Sequence, residues 1–205
     1  MKIQRATANN GFATNVYLVW DEESKKAFLV DPGAPVTELA DLIDKEQLDL
    51  QYIMLTHAHG DHTAGLGFFR EKYPDAKLVA SRAERKMLYN RDRSFGTGGI
   101  TADIETKDGD TLDVGNIHLK FIDCPGHTPG GMSIYTDGVL FSGDTLFRTS
   151  VGRTDLPGGD WDTLVETIQN KLYVLPEETV VLPGHMGETS IGYEKRNNPF
   201  VSDND

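Results

Sequence analysis

Cysteine is almost absent: Cys124 is the single one in 205 residues. No internal disulfide can form, which suits a reducing compartment, and a cytoplasmic location is expected. Long apolar runs are missing as well. No stretch approaches the roughly 20 residues a membrane helix requires, and the opening MKIQRATANNGFATN carries neither an apolar h-region nor a small-residue cleavage site. Membrane insertion and export are therefore not expected. Positive charge is in deficit, with 20 Lys and Arg against 32 Asp and Glu. No Lys/Arg run supplies the basic face that phosphate backbones require, so nucleic acid is set aside as a partner. Segments that would mark a linker, of low complexity or of one charge, are also lacking. At this length one core is expected, hence a single domain over residues 1–205, with the oligomeric state left open.

What the chain does have is histidine, unevenly placed. Three of its six histidines fall beside an aspartate within YIMLTHAHGDHTAG, residues 52–65: His57, His59, Asp61 and His62. Chance yields HxHxDH in such a chain with odds on the order of one in two thousand, so the run calls for a chemical reason. On an extended segment residues i and i+2 point the same way, and His57 and His59 can address one ion. Asp61 and His62 fall where the chain turns into a helix, within reach of a second. His127 in CPGHTPGG and His185 in LPGHMGET each follow a Pro-Gly pair beyond a strand, where a tight turn projects a side chain. Asp144 in SGDTLF adds a carboxylate at the end of another strand. The expectation is that His57, His59 and His127 hold one ion, Asp61, His62 and His185 a second, and that Asp144 bridges them. Imidazole and carboxylate donors suit two divalent metals, zinc first, with iron or manganese as alternatives. His118, mid-strand in NIHLKF, is read as structural, and Cys124 as a buried structural thiol.

The remaining pattern alternates strands and helices. NVYLVW and KAFLVD read as a hairpin, PVTELADLIDKEQ as an amphipathic helix with Val36, Leu39, Ala40 and Ile43 on one stripe, and YIMLT as a buried strand. AGLGFFREKY reads as a helix, KLVA as a strand, and SRAERKMLYN as a helix in which Ser81 and Glu84 have capping-box spacing. SFGTGG reads as a loop. IHLKFIDCPGH is a strand, MSIYTDGVLFSGD a hairpin around Asp137-Gly138, DWDTLVETIQNKLYVL a helix starting at Asp160 or Trp161, and TVVLPGH a buried strand. Each half thus contains a hairpin ending in an aspartate (Asp31, Asp144), a helix, and a strand delivering a histidine (His57, His185). An α/β chain with layered sheets covered by helices is expected.

The stretches THAHGDHTAG, PGHTPGGMSIY, GDTLF, GRTDLPGGD and LPGHMGETSIGYEKRNNPF together resemble the metallo-β-lactamase-fold hydrolases, and within them the small glyoxalase II (hydroxyacylglutathione hydrolase)-like branch. The resemblance implies a four-layered αβ/βα sandwich, two mixed sheets packed face to face with helices outside, and a dinuclear site in the groove between them, with all seven ligand positions filled. It also implies a supporting role for Asp31, for which an Asp-Pro-Gly turn is the equal alternative. The helical C-terminal glutathione-binding domain of typical glyoxalase II enzymes is not expected, since the chain stops soon after NNPF, and the thiol carrier stays open. β-Lactamases of this fold are usually exported and lack the bridging aspartate, and flavodiiron-type relatives carry glutamate at the position of His59. Neither activity is expected.

The implied reaction is hydrolysis of a small-molecule thioester by a hydroxide bridging two metals, with Asp61 and Asp144 as the catalytic carboxylates. A thiolate leaves with little help from an acid. Arg148 and Arg153 either meet a substrate carboxylate or form ordinary ion pairs, Asp155 being the obvious partner of Arg153. The rival reading is a persulfide dioxygenase, an oxidoreductase with one iron held by two histidines and a carboxylate. Lactone hydrolysis by the dinuclear site is a third.

Overall fold

The computed structural model describes residues 1–91 and 98–201. Strands that read as unbroken apolar runs bury both of their faces, as strands sandwiched between two layers must. The first sheet holds β1 (Lys2–Thr7), β2 (Asn15–Trp20), β3 (Lys26–Val30), β4 (Asp49–Met54), β5 (Lys77–Ser81) and β6 (Ile104–Thr106), side by side in that order. The second is built from β7 (Thr111–Val114), β8 (Ile117–Asp123), β9 (Met132–Thr136) and β10 (Val139–Gly143). A separate ribbon, β11 (Leu146–Phe147) with β12 (Ser150–Val151), precedes β13 (Val180–Pro183) and β14 (Thr189–Ser190), which extend the second sheet beyond β10.

Alternation along the strands divides the side chains among three cores. Tyr17, Val19, Phe28, Val30, Met54, Phe121, Ile134 and Phe141 fill the space between the sheets. There Phe141 meets the edges of Tyr17 and Phe28, with centroids 5.4 and 6.1 Å away. The opposite faces, Leu18, Leu29, Ile53 and Leu78, pack on Leu39, Ala40 and Ile43 of α1 (Thr37–Lys45). Past α2 (Gly60–Thr63), α3 (Leu66–Lys72) adds Leu66 and Phe69 to the same layer, and α4 (Arg85–Tyr89) adds Met87 and Leu88. On the far side, Leu140 and Val181 pack on Leu164 of α5 (Trp161–Thr167), on Ile168 and Leu172 of the π-helical turn that continues it, and on Ile191 of α6 (Ile191–Asn197). Helix, sheet, sheet, helix: this is the four-layered αβ/βα sandwich with two mixed sheets.

The halves repeat one another in pairing as well as in order. β2 and β3 are antiparallel and β4 returns parallel to β3; β9 and β10 are antiparallel and β13 returns parallel to β10. Asp160 caps α5, accepting from the Thr163 N–H at 2.8 Å. Three expectations need amending. Ser81 accepts from the Ala83 N–H, but Glu84 does not close a capping box, because its carboxylate turns inward to other loops. The SRAERKMLYN helix is a 3-10 turn, Arg82–Glu84, followed by the short α4. β1 has no counterpart in the pattern reading: KIQRAT is a largely exposed edge strand with little apolar alternation. Of the SFGTGG loop, residues 94–97 lie outside the described residues. Among the described residues no helix is long and apolar enough to cross a membrane.

Candidate metal centre

The repeated topology puts the ends of β3, β4, β10 and β13 at one end of the two sheets, where α/β folds gather their sites. Asp31 follows β3, His57 follows β4, His59 precedes α2, and Asp61 and His62 lie within α2. From the second half His127 follows β8, Asp144 follows β10 and His185 follows β13. Donor atoms of His57, His59 and His127 all lie within 4.8 Å of one another, and so do those of Asp61, His62 and His185. Six of the seven expected residues fall into these two trios, and the seventh, Asp144, approaches members of both.

Hydrogen bonds on the far side of each ring determine which nitrogen faces inward. His127 Nδ1 sits 2.7 Å from the Arg153 carbonyl oxygen and His185 Nδ1 3.1 Å from that of Phe12. A carbonyl only accepts, so both Nδ1 atoms carry the proton and both Nε2 atoms turn inward. His62 Nδ1 donates to Asp31 Oδ2 at 2.9 Å. The Thr56 hydroxyl donates to the same Asp31 oxygen at 2.6 Å and therefore accepts from His57 Nδ1 at 3.1 Å. This leaves His57 Nε2 buried and without a hydrogen-bond partner among the described residues. His127 Nε2 meets His59 Nδ1 at 2.9 Å, and His62 Nε2 meets His185 Nε2 at 3.3 Å. Lone pairs brought this close repel unless a proton or a cation stands between them.

The carboxylates complete the arrangement. Asp144 Oδ1 lies 3.3 Å from His62 Nε2, while its Oδ2 lies 3.3 Å from His185 Nε2 and 3.6 Å from His127 Nε2. It thus touches both trios. Asp61 Oδ2 is 3.2 Å from His185 Nε2 and accepts from the Thr14 hydroxyl at 3.1 Å. Asp31 also groups with His57 and His62, yet its oxygens are taken by the Thr56 N–H, the Thr56 hydroxyl and His62 Nδ1, on the side of His62 away from the groove. These bonds reach His62 directly and His57 through Thr56. The backbone φ of Asp31, +50°, is that of a turn residue.

Titration differs between the trios. Burial holds His57 well below the usual imidazole range and takes His59 down to about 4. Burial opposes charge on His185 too, but the hydrogen bonds it donates to Asp144 and Asp61 outweigh it and raise the group to about 9. His62 is likewise raised against its burial, by Asp144 and Asp31. Burial disfavours the Asp144 carboxylate, and the surrounding imidazoles nonetheless hold its pKa well below the usual range. Neutral imidazoles form the first trio, and cationic charge collects at the second.

The Pro-Gly pairs before the histidines do more than turn the chain. A Cβ on Gly184 would stand 2.3 Å from Asp144 Oδ1 and 2.7 Å from His62 Cε1, so only glycine lets the β13 loop close on both. Above the trios opens a groove of about 430 Å³, lined by Phe12, Leu156 and Arg153 beside the site residues. A cleft of about 750 Å³ beside α4, lined by Leu88, Tyr89 and Ile100, is larger, but among the described residues no metal-donor group converges there.

Arg148, near Asp144 in sequence, does not line this groove. It sits in the turn of the β11–β12 ribbon, which carries its guanidinium away from the groove and over the Tyr193 ring, 5.9 Å from the centroid. Arg153 does line the groove, with its guanidinium in a bidentate pair with Asp155 at 2.6 and 2.7 Å. His118 is exposed on β8 and pairs with Asp113. Cys124 is fully buried, and burial raises its thiol to about 11 against the hydrogen bond with Ser133. Thr56 and Glu84 are contributors that residue patterns miss. Thr56 is signalled only by its place before His57, and Glu84 by nothing beyond a spacing that also fits a cap.

A family model described as the metallo-beta-lactamase superfamily matches residues 9–185. The chain is 34% identical over 201 residues to the hydroxyacylglutathione hydrolase of Haemophilus influenzae, an alignment that spans 93% of this chain and 94% of that one. A solved B3 metallo-beta-lactamase superposes with a TM-score of 0.90 at 34% identity, covering 98% of this chain and 99% of that chain. A protein solved in a di-iron-bound form does so with a TM-score of 0.84 at 32% identity, over 97% of this chain and 100% of that chain.

Proposed function

Because the chain belongs to the metallo-beta-lactamase superfamily, we propose that it is a metal-dependent hydrolase of thioesters, with a 2-hydroxyacyl ester of a small thiol as its substrate class. One observation carries the reading: His57, His62, His127 and His185 each hold an oxygen with Nδ1 and turn Nε2 toward the same small volume. His57, His59 and His127 would hold one cation, Asp61, His62 and His185 the other, and Asp144 both. The donor types favour zinc, and iron is the alternative that the di-iron-bound relative supports. Two cations held in this way supply Lewis acidity, lowering the pKa of water to about 7 and polarising the thioester carbonyl.

The chain's own groups set what that chemistry acts on. The Asp144 carboxylate stays ionised far below neutral pH, and the outward hydrogen bonds prevent the rings from turning away. A groove of about 430 Å³ suits a small molecule, and Phe12 and Leu156 give it an apolar wall beside Arg153. A departing thiolate, with a pKa near 8.5, needs no general acid, and Asp61, Asp144, Arg153 and three histidines are the titratable groups lining the groove. The likeness to a hydroxyacylglutathione hydrolase supports a thioester over a lactone.

A substrate panel tests this. Lactoylglutathione and other lactoyl thioesters are expected to give the highest kcat/KM, above acyl lactones and above penicillins, the control that the similarity to a B3 metallo-beta-lactamase calls for. Oxygen consumption on addition of glutathione persulfide, with no turnover of any thioester, would replace the hydrolase reading with the dioxygenase one.

A further inference from the structure

Glu84 is 1% exposed, an unusual place for a carboxylate. No Lys or Arg pairs with it among the described residues. Its oxygens are instead divided between two loops: Oε1 accepts from the Ala58 N–H at 3.0 Å and Oε2 from the Gly130 N–H at 2.9 Å. Ala58 lies between His57 and His59, and Gly130 lies three residues beyond His127. One carboxylate thus ties together the two loops that deliver the first trio, one loop from each half of the chain.

The approach is close enough to constrain the other side. A Cβ on Gly130 would meet the Glu84 backbone nitrogen at 2.4 Å and Oε2 at 2.6 Å. Helix initiation does not account for the carboxylate, since Ser81 alone caps this turn. Burying an acid without a counter-cation is costly, and the Ala58 and Gly130 N–H donors offset part of that cost here.

We infer that Glu84 is a positioning residue for the first cation, fixing the His57–His59 segment against the His127 loop and so setting the affinity of that trio alone. The inference rests on the proposal that the trio holds a metal ion. Glu84 makes no contact with the second trio, whose rings are oriented by Asp31 and by the Phe12 carbonyl.

The test is a zinc titration of metal-free protein against a chromophoric chelator. His127→Ala and His185→Ala, one from each trio, identify which step belongs to which ion. In Glu84→Gln the amide NH2 faces an N–H donor, and the first-ion affinity is expected to fall about 10- to 100-fold, as for other groups that orient metal ligands, with the second unchanged. Gly130→Ala, which displaces the loop while keeping the carboxylate, is expected to show the same selectivity. Glu84→Gln is nearly isosteric, and circular dichroism establishes that each variant is folded before it is compared. A folded Glu84→Gln protein that binds both ions as the wild type does, or that loses both equally, overturns the inference. Wild-type protein that binds fewer than two ions overturns the underlying metal proposal instead.

Discussion

Four imidazoles of the candidate centre, His57, His62, His127 and His185, are each oriented by a group whose oxygen holds Nδ1. Asp31 is the most heavily committed of these groups, with three donors on two oxygens. Asp31→Asn places an NH2 against at least one of those donors, so the affinity for metal is predicted to fall about 10- to 100-fold, measurable by chelator competition. The effect extends to both ions, because Thr56 passes it on to His57. A pH dependence follows from His185. Its proton is held up to about 9 by Asp144 and Asp61, and a cation at the second trio must displace that proton. Affinity for the second ion is predicted to rise with pH and level off above about 9, losing about tenfold per pH unit below that point for each proton displaced. Calorimetric titrations in buffers of different ionisation enthalpy count the protons released; no release would refute the assignment. At this scale the seven converging residues were legible because histidine and aspartate at these spacings are rare without a chemical cause. Glu84 was not, since its partners are backbone N–H groups, which leave no mark on residue identity.

Among the elements, what matters is where each strand stops. β4, β10 and β13 end within one to three residues of His57, Asp144 and His185, so side chains that pack the cores also set the reach of the site. Periodicity revealed most of these strands, because burial on both faces demands apolar residues throughout. It missed β1, an exposed edge strand, and it left Arg148 open, since nothing in FRTSVGRTD announces that the β11–β12 ribbon sets that side chain over Tyr193. The loop after β13 offers a test at this scale. Gly184→Ala introduces a Cβ where Asp144 and His62 already stand, an overpacking cost of about 1–3 kcal/mol. Reduced metal content with a modest loss of thermal stability is predicted, and a variant with full metal content would show that the loop yields more readily than its packing implies.

Across the whole molecule, two similar halves place half a site each on facing edges, and neither half has a complete donor set. His57, His59, Asp61 and His62 come from one, His127, Asp144 and His185 from the other. The repeat was visible in the sequence as order alone; that β4 and β13 both return parallel to the second strand of their hairpins emerges only from the pairing. What acyl group and thiol fill the groove depends on a rim of exposed side chains, such as Phe12 and Arg153, that obey no pattern. The central claim, that these halves close on two cations, is tested most directly by elemental analysis of the protein purified without added metal, alongside Asp144→Asn. Two divalent ions per chain, falling in the variant that loses the shared carboxylate, is the predicted result. A single iron per chain, unaffected by Asp144→Asn, would contradict it.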